Sequence, residues 1–305
     1  MGLKLDSSTW RSYASAYNSW REFVSIHHFP IEPNPTTLSN YIMFMCDYIK
    51  PSSVTSYLSG IVQMLEPYFP NIRTVRSSPI VRDTLIGCKR LRNTPVTRKL
   101  PLSVGMIKQV VFTSDPRYDF VLFQTLIVVG FHGLLRLGDL CDPPIRSNIN
   151  PAKRARRTSV KFPTNDSFSF ALPAHKADPF FEGNVVLIRN LWSGIDVVSI
   201  FRRYLAQRDL RHPYASPLWL TENGSVPDRS FFIRFLLPFN FGPSVRGQSM
   251  RAGGATALAE LGASSEAIQA LGRWSSSAWK IYIRKHPTVV HHFERLHPNT
   301  PQHHP

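Results

Sequence analysis

The stretch Gly272–Arg284, "GRWSSSAWKIYIR", decides how the whole chain is interpreted. Its apolar residues Trp279, Ile281 and Ile283 are typical of an ordinary buried helix. Tyr282 lies between them, within a stretch that also carries several basic residues. A phenol in this setting is either a core aromatic or a nucleophile placed where an anion binds. The rest of the sequence has to discriminate between these two interpretations.

The bulk composition indicates a globular protein with a polyanionic partner. The chain has 305 residues, which is enough for two domains of ordinary size. Hydrophobic residues make up 43% and charged residues 18%, which excludes a disordered chain. The formal net charge of +16 favours nucleic acid over a membrane surface as the partner.

Cysteine usage and apolar runs predict an intracellular protein. Cys46, Cys88 and Cys141 form no CxxC pair, so neither a zinc site nor a disulfide framework is expected. The beginning of the sequence lacks the apolar segment of a secretory signal. The longest apolar run, Phe120–Leu140, is interrupted by polar residues and glycines, so it predicts a buried helix rather than a membrane span.

Residues 1–92 are predicted to form a helical domain. Apolar residues recur at helical spacing in four segments, which begin near Ser7, at Asn34-Pro35, at Ser53 and at Ser78-Pro79. Residues 93–101 are predicted to be a linker, within a basic stretch that starts at Lys89. Phosphate-backbone contact is expected from five basic side chains, against the alternative of a solvated spacer: Lys89, Arg90, Arg92, Arg98 and Lys99.

Residues 102–297 are predicted to form a second, mixed domain, followed by a polar tail at 298–305. Helices are expected near Ser103–Thr113, Tyr118–Leu140, Ile195–Gln207, Arg229–Leu237, Arg251–Leu261, Ser265–Leu271, Ser276–Lys285 and Thr288–Leu296. Strands are expected near Thr158–Phe162, Phe168–Leu172 and Val185–Arg189. The whole chain is therefore predicted to be α+β and mostly helical, with a small antiparallel sheet.

The segment "KRARR", Lys153–Arg157, precedes the first predicted strand and admits two interpretations. It is either a nuclear localisation signal or a basic strand edge that faces DNA. Under the second interpretation Arg154 and Arg156 are further DNA contacts.

Five chemistry-bearing residues follow one another in a suggestive order. Arg136 lies at the end of an apolar helix with Asp139 one turn later, and Lys176 lies between two predicted strands. Arg251 opens a small-residue helix, and Tyr282 follows the turn "LGRW". Singly, each has an ordinary explanation, such as an arginine paired with a nearby aspartate or a solvated hairpin lysine.

In this order the residues resemble the tyrosine recombinase (phage-integrase) family, most closely its fungal, Crypton-like members with "LGRWSS…YIR". The resemblance spans almost the whole chain. It implies a four-helix SAM-like core-binding domain in front of a mixed α/β catalytic domain. It also implies cleavage and rejoining of double-stranded DNA without metal or cofactor, by a homo-oligomer, expected to be a tetramer, on DNA. The expected location is intracellular, in the nucleus of a eukaryotic host.

The resemblance assigns a role to each matching residue. Arg136 and Arg251 correspond to the two arginines that grip the scissile phosphate, and Asp139 to the acidic residue after the first. Lys176 corresponds to the hairpin lysine that protonates the leaving oxygen. Tyr282 corresponds to the nucleophile, which forms a 3′-phosphotyrosine intermediate. Two guanidiniums are suited to this task because they bind phosphate oxygens in a bidentate manner and stabilise a pentacoordinate transition state.

Two positions depart from the family pattern. Gln248 stands where family members usually have histidine, three residues before the second arginine. The His/Trp position before the tyrosine is filled by Trp274 when counted from Arg251 and by Arg273 when counted back from Tyr282; Trp274 is favoured. An amide cannot accept a proton at neutral pH, so Gln248 favours an alternative function: a catalytically degenerate DNA-binding protein. A type IB topoisomerase is a third possibility, which the separate helical domain disfavours.

Overall fold

The first part of the protein is built from helices. The computed structural model describes residues 7–92, 100–173, 183–190, 193–275 and 280. The chain divides into two units, Met1–Thr97 and Arg98–Pro305. In the first unit the helices are α1 (Ser7–Ile26), α2 (Pro35–Tyr48), α3 (Pro51–Leu65), α4 (Ile72–Ser77) and α5 (Pro79–Arg92).

An aromatic and aliphatic core holds the first unit together. Trp20 of α1 and Tyr41 of α2 are fully buried and meet edge to face, with ring centroids 5.4 Å apart. The Trp20 indole N–H donates to the Ile31 carbonyl at 3.1 Å, so its polar atom is satisfied within the core. Leu58 of α3 and Val81 of α5 complete the same cluster. Most of the periodic apolar positions thus lie in the core, whereas Trp10, Ile80, Ile86 and Leu91 are exposed.

The four predicted helices of this unit are present, with one start corrected. Asn34 caps α2 as predicted, and its side chain accepts from the Thr37 N–H at 2.9 Å. Ser53 was expected to cap the third helix, but α3 already begins at Pro51 with Lys50 in the cap position. Proline at the first helical position accounts for the earlier start. The six-residue α4 was not predicted, because it is too short to show a periodic pattern.

The second unit combines helices with a small sheet. Its elements are α6 (Val104–Phe112), α7 (Tyr118–His132), β1 (Lys161–Thr164), β2 (Ser167–Leu172), β3 (Asn184–Arg189), α8 (Val197–Arg211), α9 (Arg229–Leu236), α10 (Ser249–Glu260) and α11 (Ser265–Gly272). The sheet is antiparallel in the order β1-β2-β3, with Phe168 opposite Ile188 in β2 and β3. The predicted mostly helical α+β class with a small antiparallel sheet is confirmed.

Two predicted elements of this unit differ from the structure. The helix predicted over Tyr118–Leu140 ends at His132, because Leu134 adopts a left-handed conformation with φ 49°. The strand predicted over Thr158–Phe162 begins only at Lys161, because the chain before it forms a 3₁₀ turn. The predicted helices Ser276–Lys285 (except Lys280) and Thr288–Leu296, the tail 298–305 and linker residues 93–99 lie outside the described residues.

Candidate active site

The end of α7 turns the chain abruptly towards Arg136. The Leu135 N–H reaches back to the Gly130 carbonyl at 2.9 Å across the left-handed residue Leu134. A residue with a Cβ is disfavoured in this conformation. The Leu134 side chain is fully buried in a small apolar cluster that includes Trp274, and this burial offsets the strain. The turn leaves the Leu134 carbonyl available as an acceptor inside the protein.

Two glycines bring α10 close to α7 and hold Arg251 near this turn. A Cβ on Gly253 would lie 2.1 Å from the Leu102 carbonyl oxygen, and one on Gly254 would lie 2.1 Å from the Phe131 carbonyl oxygen. No side chain fits at such distances, so α10 approaches the backbone of Leu102, before α6, and that of Phe131, in α7, only because both residues are glycine. The small-residue character of this helix, visible in the sequence, therefore fixes the position of its arginine.

The Arg251 guanidinium is buried and held by main-chain oxygens. The residue is 4% exposed. Nη1 donates to the Leu134 carbonyl at 2.8 Å and Nη2 donates to the Gly272 carbonyl at 2.5 Å. The guanidinium carbon lies 4.0 Å from the Trp274 ring centroid, a cation–π distance. Carbonyls and ring together orient the side chain.

The turn after α11 places the Trp274 indole beneath that guanidinium. The Trp274 main-chain N–H donates to the Gln269 carbonyl at 3.1 Å, and the Gln269 side-chain amide donates back to the Trp274 carbonyl at 3.1 Å. Arg273, between helix and tryptophan, is left-handed with φ 54°. A Cβ on Gly272 would lie 1.6 Å from Cζ3 of Trp274. Glycine is therefore required at 272 for the ring to occupy this position.

The Arg273 side chain meets the same turn from the other side. Its Nη2 donates to the Gly133 carbonyl at 2.7 Å and approaches the Leu134 carbonyl at 3.4 Å. Burial lowers the pKa of Arg273, and the positive charge of Arg136 lowers it further, while the Asp139 carboxylate acts in the opposite direction. Arg136 and Asp139 thus belong to the electrostatic surroundings of Arg273.

A short 3₁₀ turn orients Arg136 and Asp139 relative to each other. The Arg136 N–H donates to Asp139 Oδ2 at 2.8 Å, and the Asp139 N–H donates to the Arg136 carbonyl at 2.9 Å. Both residues are half-buried. The hydrogen bond to Asp139 is thus made by the arginine main chain.

Gln248 lies at the N-terminal end of α10, next to this 3₁₀ turn. A Cβ on the preceding Gly247 would lie 2.3 Å from the Leu137 side chain, so the turn and the start of α10 are in close contact. Gln248 is exposed and makes no side-chain cap hydrogen bond. Its amide is thus directed to solvent at the end of the helix that carries Arg251.

Together these residues form a cationic cluster, the arginine junction, which we define as Arg136, Asp139, Arg251, Arg273 and Trp274. Three guanidiniums are accompanied by one carboxylate within the junction, which leaves a surplus of positive charge. Because carbonyls orient two of these cations, the arrangement favours a bound anion with several acceptor oxygens.

Solved structures with the same architecture are recombinases and integrases. The XerH site-specific recombinase in a post-cleavage complex with its palindromic difH substrate matches with a TM-score of 0.64 at 13% identity, over 94% of this chain and 78% of that one. A Tn1549 transposon integrase bound to circular-intermediate DNA matches with a TM-score of 0.58 at 14% identity, over 94% of this chain and 99% of that one. A lambda integrase dimer bound to a core site matches with a TM-score of 0.54 at 14% identity, over 91% of this chain and 89% of that one.

The chain has the tyrosine-recombinase fold. At these identities the similarity concerns the fold alone. No family model matches the sequence, and no curated protein matches it either.

Within the tyrosine-recombinase fold, the structure brings together part of the predicted catalytic set. Arg136, Arg251 and Trp274 belong to the arginine junction, and Gln248 lies at its edge. Lys176 and Tyr282 lie outside the described residues, so their assignments stay predictions.

The predicted DNA contacts of the first unit lie in the last turn of α5. Arg90 and Arg92 are exposed and Lys89 is half-buried. The Arg92 guanidinium forms an ion pair with Asp47 of α2. Such an exposed pair contributes little stability and exchanges readily for another anion. Arg98 and Lys99 lie outside the described residues.

The segment Lys153–Arg157 precedes β1. Lys153 and Arg157 belong to 3₁₀ turns, and Arg156 forms an isolated antiparallel bridge with Pro217. Arg154 forms an ion pair with Asp142, in which both side chains are largely buried. Arg156 is exposed. Of the two predicted contacts, Arg156 is thus the more accessible to DNA.

Several residues of the site have no clear signal in the sequence. His132 ends α7 and bonds to Ser193, although the sequence shows it only as a polar interruption in an apolar run. The left-handed conformation of Leu134 is likewise invisible, since leucine is not a typical residue for it. Gly272 could be found only as part of "LGRW".

The described part of the chain contains no group of three or more His, Cys, Asp or Glu side chains arranged to hold a metal ion. Within the same residues, no helix is long and apolar enough to cross a membrane.

Proposed function

We propose that the protein cleaves and rejoins DNA strands, with Tyr282 as nucleophile and the arginine junction as the phosphate-binding site. The observation that carries the proposal is the convergence of Arg251 and Arg273 on the Leu134 carbonyl, beside Arg136. This convergence occurs in a chain that has the tyrosine-recombinase fold. A phosphodiester supplies the anionic oxygens that such a surplus of guanidiniums requires.

The chemistry assigns each residue a task. A tyrosine hydroxyl has a pKa near 10 and is a weak nucleophile until its proton leaves. Arg136 and Arg251 bind the non-bridging oxygens and stabilise the charge of the pentacoordinate transition state. Lys176 protonates the departing 5′-oxygen as general acid. The covalent 3′-phosphotyrosine conserves the energy of the broken bond, so a 5′-hydroxyl can restore the DNA strand.

Trp274 is our candidate for the position that precedes the tyrosine in family members. Its indole lies against the Arg251 guanidinium, whereas Arg273 contributes a third cation bound to the Gly133 carbonyl. In this assignment Trp274 limits the rotation of Arg251, and Arg273 adds to the positive potential at the phosphate.

The partner we propose is double-stranded DNA, in a homo-oligomeric complex that is a tetramer during strand exchange. The similar solved structures support the DNA part, because those proteins are bound to recombination-site or transposon DNA. The net charge of +16 supports it independently. We further propose a mobile element of the fungal Crypton-like kind as the genetic source and the nucleus as the place of action.

A second candidate function is DNA binding without turnover. One observation favours it: Gln248 presents an amide at the start of the Arg251 helix, where family members have histidine. An amide can hold a phosphate oxygen, but it cannot take the tyrosine proton at neutral pH. In this case the fold and the arginine junction serve binding alone.

The test uses a nicked suicide substrate, from which a short 5′-hydroxyl strand diffuses away and traps the covalent intermediate. Wild-type protein is expected to form a protein–DNA adduct on DNA that it binds. Tyr282→Phe is expected to form none while its DNA affinity stays nearly unchanged, because only the attacking oxygen is removed. Adduct formation by Tyr282→Phe would show that another residue is the nucleophile. No adduct from wild type on bound DNA would support the second candidate.

A further inference from the structure

The last residue of α7, His132, connects this helix to the segment between β3 and α8. Its Nδ1 lies 2.9 Å from the Val128 carbonyl oxygen, and its Nε2 lies 2.7 Å from Ser193 Oγ. Ser193 Oγ also accepts the Ile195 N–H at 3.2 Å. His132 is half-buried and Ser193 is buried. A hydrogen-bonded chain thus runs from the α7 backbone to the backbone just before α8.

The partners determine the tautomer of the histidine. A carbonyl oxygen can only accept, so Nδ1 of His132 carries the proton that is donated to Val128. Nε2 then has a free lone pair and accepts the Ser193 hydroxyl proton. Burial lowers the pKa of His132 to about 4, so the ring is neutral at physiological pH. The chain of hydrogen bonds is therefore fully formed in the neutral state.

The two ends of this series of hydrogen bonds lie beside the arginine junction and beside the β2–β3 hairpin. His132 directly precedes Gly133 and Leu134, whose carbonyls accept the Arg273 and Arg251 guanidiniums. The sheet lies against the same place, because a Cβ on Gly133 would lie 3.2 Å from the Ile188 side chain of β3. Strand β3 pairs along its whole length with β2. The connection between these two strands contains the proposed general acid, Lys176.

We propose that His132 and Ser193 are positioning residues that hold the β2–β3 hairpin in register with the arginine junction. The proposal rests on the proposed function, since the hairpin carries the general acid of that reaction. The contact between Ile188 and Gly133 sets the distance between the sheet and the arginine junction. The hydrogen bond between His132 and Ser193 holds the polypeptide after β3 against the end of α7. Neither residue touches the phosphate.

The first experiment compares Ser193→Ala with Ser193→Thr, which keeps the hydroxyl. Ser193→Ala is expected to lower the rate of adduct formation about tenfold at saturating DNA, because a small misplacement of a reacting group is costly. DNA affinity is expected to stay within about twofold, since the positioned group acts in the chemical step. Ser193→Thr is expected to recover most of the rate. A cleavage rate of Ser193→Ala equal to that of wild type would overturn the proposal.

Thr125→Val is the matched control. It also removes a buried hydroxyl from the α7 region, but this hydroxyl bonds only within its own helix, to the Val121 carbonyl at 2.8 Å. Its rate of adduct formation is expected to equal that of wild type. An equal loss of rate in Thr125→Val and Ser193→Ala would mean that any lost buried hydroxyl is harmful, and the specific role would be disproved.

A second measurement does not depend on activity. Ring ¹⁵N chemical shifts of His132, assigned by comparison with His132→Asn, are expected to show the Nδ1–H tautomer and a neutral ring at pH 6. Ser193→Thr is expected to retain this pattern. A charged ring at pH 6, or the Nε2–H tautomer, would overturn the proposal even where Ser193→Ala does not fold. If wild type forms no adduct while these shifts are as expected, the proposed function is wrong, but the hydrogen bonds of His132 and Ser193 are confirmed.

Discussion

Arg251 and Arg208 are both buried arginines held by main-chain carbonyls, yet their electrostatic surroundings differ. Arg208 of α8 is fully buried and donates to the carbonyls of His212, Ala215 and Pro217. It also donates to the Asp209 carboxylate at 3.0 Å. Arg208 therefore has a neighbouring anion, and its contacts close the turn that follows α8.

In the arginine junction the same kind of carbonyl contacts occurs beside further guanidiniums. Arg251 shares its surroundings with Arg273, whose pKa responds to a further cation, Arg136, and to the single carboxylate of Asp139. Burial and carbonyl bonds are thus common to a structural arginine and to a candidate catalytic one. The two arginines therefore differ in their neighbours: Arg208 contacts a carboxylate, whereas Arg251 shares the Leu134 carbonyl with a second guanidinium, Arg273.

The largest expected effect concerns the arginine junction. Arg251→Ala and Arg136→Ala are each expected to slow cleavage about 10²-fold or more, on the scale of a lost preorganised contact to transition-state charge. Arg251→Lys is expected to be nearly as slow, because a lysine cannot bind both carbonyls and a phosphate in fixed geometry. Adduct formation on the suicide substrate measures the rate. Cleavage within tenfold of wild type would remove Arg251 from the catalytic set.

Arg208 is expected to affect stability instead. Arg208→Met leaves buried carbonyls without a donor and is expected to lower the free energy of unfolding by about 2–3 kcal/mol. The cleavage rate of the folded protein is expected to be unchanged. Urea denaturation measures the first quantity and active-site-titrated adduct formation the second. A specific loss of cleavage in Arg208→Met would end the distinction between the two arginines.

The sequence predicted most of the described helices because they depend on local pattern. The family resemblance singled out Arg251, whose catalytic role stays a prediction, but the sequence could not show that the carbonyls of Leu134 and Gly272 orient the guanidinium. Those contacts depend on backbone conformations at distant positions. The helix predicted over Tyr118–Leu140 was too long for the same reason, because a leucine in the sequence does not indicate the left-handed conformation found at position 134.

A smaller effect is expected at the edge of the junction. Gln248→His restores a group that can exchange protons and is expected to raise the rate of adduct formation about tenfold or more. DNA affinity is expected to change little, because the side chain is exposed and uncharged before the substitution. Rescue of an inert wild type by histidine would mean that the fold was kept for binding. If both proteins bind DNA and neither forms adduct, the catalytic interpretation fails for reasons beyond Gln248.

The smallest effect is expected where an arginine is exposed. Arg92→Ala should weaken DNA binding about threefold and reduce the slope of log affinity against log salt by about 1, as for one lost phosphate contact. Arg73→Ala is the matched control, because Arg73 also forms an exposed ion pair, with Glu66 in the same unit, and is not a predicted DNA contact. Equal effects of the two substitutions on the salt slope would remove Arg92 from the DNA interface.

The arginine junction also has a consequence for the order of folding. Its hydrogen bonds join residues 117 and 140 positions apart in the chain. Contacts of such sequence separation form late, because loop closure must precede them. A chain in which α10 and α11 have not yet packed therefore lacks the carbonyl contacts that orient Arg251 and Arg273. Under the proposed function, DNA cleavage becomes possible only after these two helices have joined the unit.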